Sequence, residues 1–144
     1  MWYNKIMIGL LESPLHSFLS KNMLVITYTG RKSGKAFSLP VNYLLDDGLE
    51  GGLLYTASQK DRVWWRNLRA GKPISLRLRG QDVKAIPTVI EDQAGVRQLF
   101  ERYFELSPGL ARYFQVELDE QGKASAADLD ACARDRVMIT FKVE

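Results

Sequence analysis

Apolar and polar residues alternate over short stretches of this chain, and a period of two predicts β-strands. The stretch 74–79 (ISLRLR) shows the alternation most clearly, because every second residue is apolar and the others are hydroxyl-bearing or basic. The predicted strands are 23–29, 36–45, 53–58, 74–79, 83–90 and 137–143. Pro40 lies within the second of them, where it indicates a bulge or a sheet edge.

A helical period replaces the alternation in the remaining segments. The predicted helices are 6–19, 62–70 with Asp61 as its N-cap, 93–106, a short helix that begins at Ser107-Pro108, and 126–133. Most of the strands therefore follow one another without a helix between them, and the phosphate fingerprint GxGxxG is absent. This order predicts an α+β fold built on a small, mostly antiparallel barrel of about six strands, and not a parallel Rossmann sheet.

The composition is that of an ordinary globular domain, with 144 residues, 46% hydrophobic and 26% charged. We therefore expect one domain over residues 1–144. No apolar run approaches the ~20 residues that span a bilayer, and the start of the chain lacks the features of a signal peptide. No integral membrane segment and a cytoplasmic location are expected. Cys132 is the only cysteine and there is one histidine, so neither an internal disulfide nor a zinc site is favoured.

The charge is unevenly distributed. Residues 31–84 carry a net charge of +6 and the rest of the chain −3, which gives the total of +3. A basic segment of this kind favours a polyanionic partner. Within it, Gly30 and Gly34 bracket a basic turn that contains Arg31 and Lys32, and such a turn suits a phosphate group. Ser58 and Lys60 stand just before a predicted helix, whose first N–H groups offer a second anion site.

The combination of these motifs resembles a known family. The turn TGRKSG after a strand, the segment SLPVNYLLDDG, and the run TASQKD followed by WWRNL are similar to the deazaflavin (F420)-dependent nitroreductase and quinone-reductase family. That family belongs to the flavin-binding split-barrel superfamily, together with pyridoxamine-phosphate-oxidase-like proteins. The similarity covers about residues 22–90 and the last strand. It implies a split β-barrel that binds coenzyme F420, a hydride carrier with an anionic tail.

The resemblance also implies roles for individual residues. Arg31 and Lys32 would contact the phosphate or the tail of the cofactor, and Ser58, Lys60 and Asn67 its phosphodiester. Pro40, Val41 and Asn42 would present backbone and side-chain groups to the ring system. Tyr113 would lie over the ring, line the substrate pocket and be one candidate proton donor, with Tyr43 or water as the others. Trp64 shares a helix face with Asn67 at the cofactor site, although packing in the barrel is the commoner role for such a tryptophan.

The leading hypothesis is an oxidoreductase that transfers a hydride from reduced F420 to a small molecule, namely a quinone, a nitroaromatic or an activated enone. One alternative is an FMN-binding reductase of the same fold, and another is a non-catalytic carrier of an anionic or apolar ligand. Nucleic-acid binding would rest on the basic segment alone, without a recognisable motif, and is not expected. A homodimer is possible. The acidic stretch 117–134 is predicted either to cover the pocket as a mobile segment or to serve only as a connector.

Overall fold

The computed structural model describes residues 23–30, 34–46, 52–78 and 80–144, and these contain seven strands in one antiparallel sheet. The strands are β1 (Met23–Thr29), β2 (Ala36–Asn42), β3 (Leu44–Asp46), β4 (Leu53–Gln59), β5 (Ile74–Leu78), β6 (Gln81–Ile90) and β7 (Arg136–Val143). Their order in the sheet is β2-β1-β5-β6-β7-β4-β3. The α+β split barrel predicted from the sequence is confirmed.

The sheet curls because its two outermost strands are neighbours in the chain. Strands β2 and β3 lie at opposite ends of the sheet order, yet Tyr43 alone separates them. The Thr56 hydroxyl of β4 donates a hydrogen bond to the Asn42 carbonyl of β2 at 3.0 Å. This bond joins the two ends of the sheet at one point, and the result is a barrel.

Alternate residues of the strands fill the barrel. On β7, Val137, Ile139 and Phe141 belong to the interior cluster, whereas Met138 belongs to a second cluster on the opposite face. This division follows the two-residue period of a strand. A 3-10 helix (Trp64–Leu68) contributes Trp65 and Leu68, each 2% exposed, to the interior cluster.

A helical layer covers the other face of β4 and β7. It consists of α1 (Gln93–Leu106), a second 3-10 helix (Pro108–Phe114) and α2 (Ala126–Arg134). Tyr55 and Met138 project from the sheet into a cluster that includes Phe100, Phe104 and Leu129 of the helices. None of the described helices is both long and apolar enough to cross a bilayer.

Two details of the predicted secondary structure need correction. The predicted strand 36–45 is divided at Tyr43, whose ring is 5% exposed within the barrel, so seven strands replace about six. The predicted helix 62–70 is a 3-10 helix of five residues, and Val63 rather than Asp61 stands at its N-cap, without a side-chain bond. The predicted helix 6–19 lies outside the described residues.

Candidate functional site

The barrel is open along one line, between β2 and β4. Strand β3 pairs with β4 over Leu53–Tyr55, and the Thr56 hydroxyl then reaches Asn42. Beyond this point β2 pairs only with β1, and the part of β4 after Thr56 pairs only with β7, among the described strands. Two strand edges that are not paired with each other therefore extend from the Asn42–Thr56 bond. We call the gap between them the split.

Five of the predicted cofactor residues lie on the two sides of the split. Pro40 and Val41 of β2 are half-buried and Asn42 is exposed. Ser58 of β4 is 9% exposed, and its hydroxyl donates to the Gln59 carbonyl at 3.3 Å. The Lys60 main-chain N–H is bonded to the Asp135 carbonyl at 2.9 Å. The closure of the barrel thus brings together two segments that are more than ten residues apart in the sequence.

The Trp64–Leu68 helix follows directly after the β4 side of the split. Asn67 donates to the Trp64 carbonyl at 3.1 Å, which places these two predicted site residues side by side. Trp64 also packs against the barrel interior. Trp65 is buried and donates from Nε1 to the Gln59 carbonyl at 3.2 Å, so it anchors the helix to the end of β4.

Arg66 is a residue of this helix that the sequence analysis did not select. Its guanidinium lies 5.5 Å from the Trp65 ring centroid, and its Nε is buried without a hydrogen-bond partner within the described ranges. Buried N–H groups are normally bonded. The guanidinium of Arg69 also lies over Trp65, at 5.0 Å, but it is held by two hydrogen bonds to Glu91. Only the basic character of residues 31–84 pointed towards Arg66.

A cavity of about 540 Å³ lies among β1, β5 and β6. Residues from the ends of β1 and β2 line it, together with Asn67, Lys72 and residues of β5 and β6. Among the predicted cofactor residues that the structure describes, Asn67 lines this cavity. A separate hollow of about 380 Å³ contains Lys60 and Arg136 beside two carboxylates, Asp61 and Asp135.

The basic turn is described only at its two ends. The Gly30 N–H donates to the Lys35 carbonyl at 2.8 Å and the Gly34 N–H to the Gly30 carbonyl at 2.9 Å, while Gly34 has a φ of +70°. A positive φ of this kind is the reason for a glycine there. Arg31 and Lys32 lie outside the described residues, and their predicted contacts with an anion stay predictions.

Tyr113 and the acidic stretch lie in the helical layer. Tyr113 is 75% exposed on the second 3-10 helix, and Tyr43, the other tyrosine considered as a proton donor, is buried in the barrel. In the acidic stretch, Leu118 and Ala124 form a β-bridge and pack against the helical cluster. Residues 117–134 do not line the 540 Å³ cavity. The stretch therefore has a defined structure, and its role as a cover or as a connector stays a prediction.

Among the comparisons with known proteins, the solved structures bear on the architecture. No protein-family model matches the chain, and no curated protein matches it. Among solved structures, a Listeria innocua protein assigned as a pyridoxamine 5'-phosphate oxidase aligns over 99% of this chain and 94% of its own, with 15% identity and a TM-score of 0.53. A FAD-binding protein from Mesorhizobium loti aligns over 92% and 90%, with 13% identity and a TM-score of 0.51.

A third solved structure gives a similar result. A Bacteroides thetaiotaomicron protein assigned to 5-nitroimidazole antibiotic resistance aligns over 90% of this chain and 76% of its own, with 12% identity and a TM-score of 0.54. At such identities the likeness concerns the backbone fold and not the chemistry. The chain therefore has the split-barrel fold of pyridoxamine-phosphate-oxidase-like proteins.

Proposed function

We propose that this protein is an oxidoreductase that binds a flavin-type cofactor in the split, and that the cofactor is the deazaflavin F420. The observation that carries the proposal is that β2 and β4 are not paired with each other beyond the Asn42–Thr56 bond, among the described strands. Unpaired strand edges offer rows of N–H and C=O groups. A flat heterocycle with ring N–H and C=O groups can bond to such edges on both sides.

The residues around the split fit an anionic cofactor of this kind. Lys60 follows β4 directly, and the buried Nε of Arg66 has no partner within the described ranges. The Arg66 guanidinium would bind a phosphate oxygen, because guanidinium groups bind phosphate through charge-assisted hydrogen bonds. Asn67 would add a neutral donor or acceptor, as the resemblance implies. Arg31 and Lys32 would extend the positive charge towards the acidic tail.

The solved structures support the class of cofactor. One neighbour of the same fold is a FAD-binding protein, and another is assigned as a pyridoxamine 5'-phosphate oxidase. The choice of F420 rests on the sequence motifs TGRKSG and WWRNL and on the net charge of +6 over residues 31–84. FMN carries less negative charge than F420 and would use fewer of these basic residues.

The bound cofactor would supply a hydride to a quinone, a nitroaromatic or an activated enone. The chain itself would bind the cofactor and orient its ring. Main-chain groups of Pro40–Asn42 would fix the ring plane, and Ser58, Lys60 and Asn67 would hold the phosphate. The buried Trp65, bonded to the Gln59 carbonyl, keeps this helix against the end of β4. No protein nucleophile is required.

Cofactor titration of the Lys60→Gln variant tests the proposal. We expect F420 affinity to fall about tenfold, the cost of one charge-assisted hydrogen bond. The same substitution at Lys142, an exposed residue of β7, is the matched control and should leave affinity unchanged. Fluorescence titration at low and high salt measures the cofactor affinity of both variants. F420 binding should weaken with salt more than FMN binding, because exposed charge contacts are screened.

A second variant, Asn67→Leu, should reduce the rise in melting temperature that F420 produces, since ligand stabilisation depends on Kd.

Tight FMN binding without F420 binding would transfer the assignment to an FMN reductase. Binding of neither cofactor would refute the proposal and leave the carrier function.

A further inference from the structure

Phe37 faces the barrel interior, yet its ring is exposed. It is the register partner of Tyr28, and Leu39, two residues further along β2, is the partner of Ile26. Ile26 belongs to the interior cluster and Tyr28 packs against that cluster. Because directly opposed residues share a sheet face, Phe37 lies on the interior face of β2. It is nonetheless 44% exposed, so the barrel interior is accessible to solvent at this point.

One side of the Phe37 ring is turned towards the split. The Tyr28 ring lies on the β1 side of Phe37, with ring centroids 5.8 Å apart and ring planes at 28°. Strand β2 pairs only with β1 among the described strands, so the side of the Phe37 ring away from Tyr28 faces the unpaired edge of β2. A stacked pair of rings with one exposed side can take a further planar ring in the same arrangement.

The exposed ring lies at the same end of the split as Lys60. Neighbouring strands from β2 through β1, β5, β6 and β7 to β4 are all antiparallel, so β2 and β4 run in opposite directions. From the Asn42–Thr56 bond, β2 leads back to Phe37, while β4 leads on to Gln59 and then Lys60. At about 3.3 Å per residue, Phe37 is roughly 17 Å from Asn42 along the strand.

A cation therefore lies between the strand edges proposed for the flavin ring and the exposed Phe37 ring. Lys60 is the proposed contact of the cofactor phosphate, and it forms no ion pair with any described residue. Asp61 and Asp135 line the same hollow, but neither carboxylate lies within 4.0 Å of the Lys60 ammonium group. A flavin ring, a phosphate and a second planar ring follow one another in this order in FAD. The anionic tail of F420 makes no use of an aromatic ring there.

We propose that the split also accepts FAD, with the adenine ring stacked on Phe37 and the pyrophosphate near Lys60. This inference rests on the proposed site for a flavin-type cofactor in the split. It adds a contact that FMN does not make, because FMN ends at its phosphate. The chemistry recognised is a planar base attached to a phosphate, and ADP is the second source of that chemistry.

Calorimetric titration of the cofactor-free protein with FAD, FMN and ADP tests the proposal. FAD should bind about tenfold more tightly than FMN, because stacking of a base on an aromatic side chain contributes to affinity. Phe37→Leu should weaken FAD binding about tenfold and leave FMN binding within about twofold, which also shows that the fold and the flavin end are intact. Phe37→Tyr keeps a ring and should bind FAD like the parent. Leu45→Ala truncates another exposed apolar residue, on β3, and is the control that should also bind FAD like the parent.

Equal affinities for FAD and FMN in the parent, or the same ratio of the two affinities in Phe37→Leu, would overturn the stacking contact. ADP binding as tight as that of FAD would assign the site to a free nucleotide and overturn the flavin dinucleotide. F420 binding without binding of either flavin would overturn this inference and leave the proposed cofactor in place. FAD binding that depends on Phe37, without F420 binding, would support this inference and refute the choice of F420.

Discussion

At the scale of single residues, Asp46 connects three elements through one buried carboxylate. The residue is 1% exposed at the end of β3. It accepts a hydrogen bond from the Tyr55 hydroxyl of β4 at 2.9 Å and two from the Arg102 guanidinium of α1, both at 2.9 Å. A buried carboxylate is stable only when it is paired and hydrogen-bonded. Asp46 therefore ties the short edge strand to the helical layer.

The Tyr55 hydroxyl makes stability depend on pH in the alkaline range. Burial, reinforced by the bond to Asp46, raises the pKa of Tyr55 from 10.0 to about 12. A raised pKa favours the neutral phenol in the folded state, so this contribution is complete below pH 10 and is lost as the pH rises towards 12. Tyr55→Phe should lose less stability than the parent between pH 9 and pH 12. Urea denaturation at several pH values measures the difference.

Tyr113→Phe is the control for this experiment, because that ring is 75% exposed. Its pH profile should follow the parent. Identical profiles of stability against pH for Tyr55→Phe and the parent would contradict the assignment of the alkaline loss of stability to Tyr55. Burial raises the pKa of Tyr103 to about 12 as well, so the Tyr55 variant should retain part of the alkaline loss.

At the scale of elements, the acidic stretch has a defined structure. The Asp119 carboxylate accepts hydrogen bonds from the main-chain N–H groups of Gln121 and Lys123, each at 2.9 Å. The Asp119 N–H donates to the Lys123 carbonyl at 2.8 Å. Ser125 then caps α2 by accepting from the Asp128 N–H at 3.1 Å. Asp119 therefore serves turn formation and Ser125 serves as the helix cap.

Asp119→Ala should lower the free energy of unfolding by about 1 kcal/mol, because two main-chain donors lose their acceptor. Cofactor affinity should not change, since the turn lies in the helical layer. Glu120→Ala is the neighbouring control, and it should leave stability within about 0.5 kcal/mol of the parent. Chemical denaturation and cofactor titration measure the two properties. A changed affinity in Asp119→Ala alone would restore the hypothesis of a cover over the pocket.

The sequence predicts elements where the local pattern decides them. Strand β1 and helix α1 have the predicted bounds because their apolar periods match the faces that they bury. The break at Tyr43 could not be predicted, because the segment changes its strand partner from β1 to β4 and only tertiary structure determines that change. The helix at Trp64–Leu68 is shorter than predicted because Asp61 does not cap it.

The candidate site shows the same limit. The family motifs select residues on both edges of the split, but no local pattern selects Arg66. Arg66 becomes notable because its buried Nε has no hydrogen-bond partner among the described residues, and that is a property of the folded chain.

At the scale of the whole molecule, one side-chain bond marks where the barrel closes. Thr56 is 2% exposed, and its hydroxyl donates to the Asn42 carbonyl just beyond the last residue of β4 that pairs with β3. Thr56→Val keeps the shape of the side chain and removes the hydroxyl donor. The Asn42 carbonyl then lacks this hydrogen bond. The free energy of unfolding should fall by about 1 kcal/mol.

Thr27→Val removes a hydroxyl whose bond to Ser38, at 2.9 Å, is exposed to solvent. It should cost no more than about 0.5 kcal/mol. Urea denaturation of both variants gives the comparison. Equal effects would show that the closing bond contributes no more than a surface contact.

Strand β7 lies in the middle of the sheet although it is synthesised after every other strand. It pairs with β4, where Gln59 faces Arg136, and with β6, where Ile90 faces Met138. Before β7 is made, the chain has two separate sets of paired strands. One set is β3 and β4, and the other is β2, β1, β5 and β6, and no strand pairing joins them. Hairpins β1–β2 and β5–β6 can form early by local loop closure, but joining them to β4 needs contacts of high sequence separation. The rate of folding should therefore depend on the insertion of β7, and the nascent chain should expose the edges of β4 and β6 to chaperones until that strand is made.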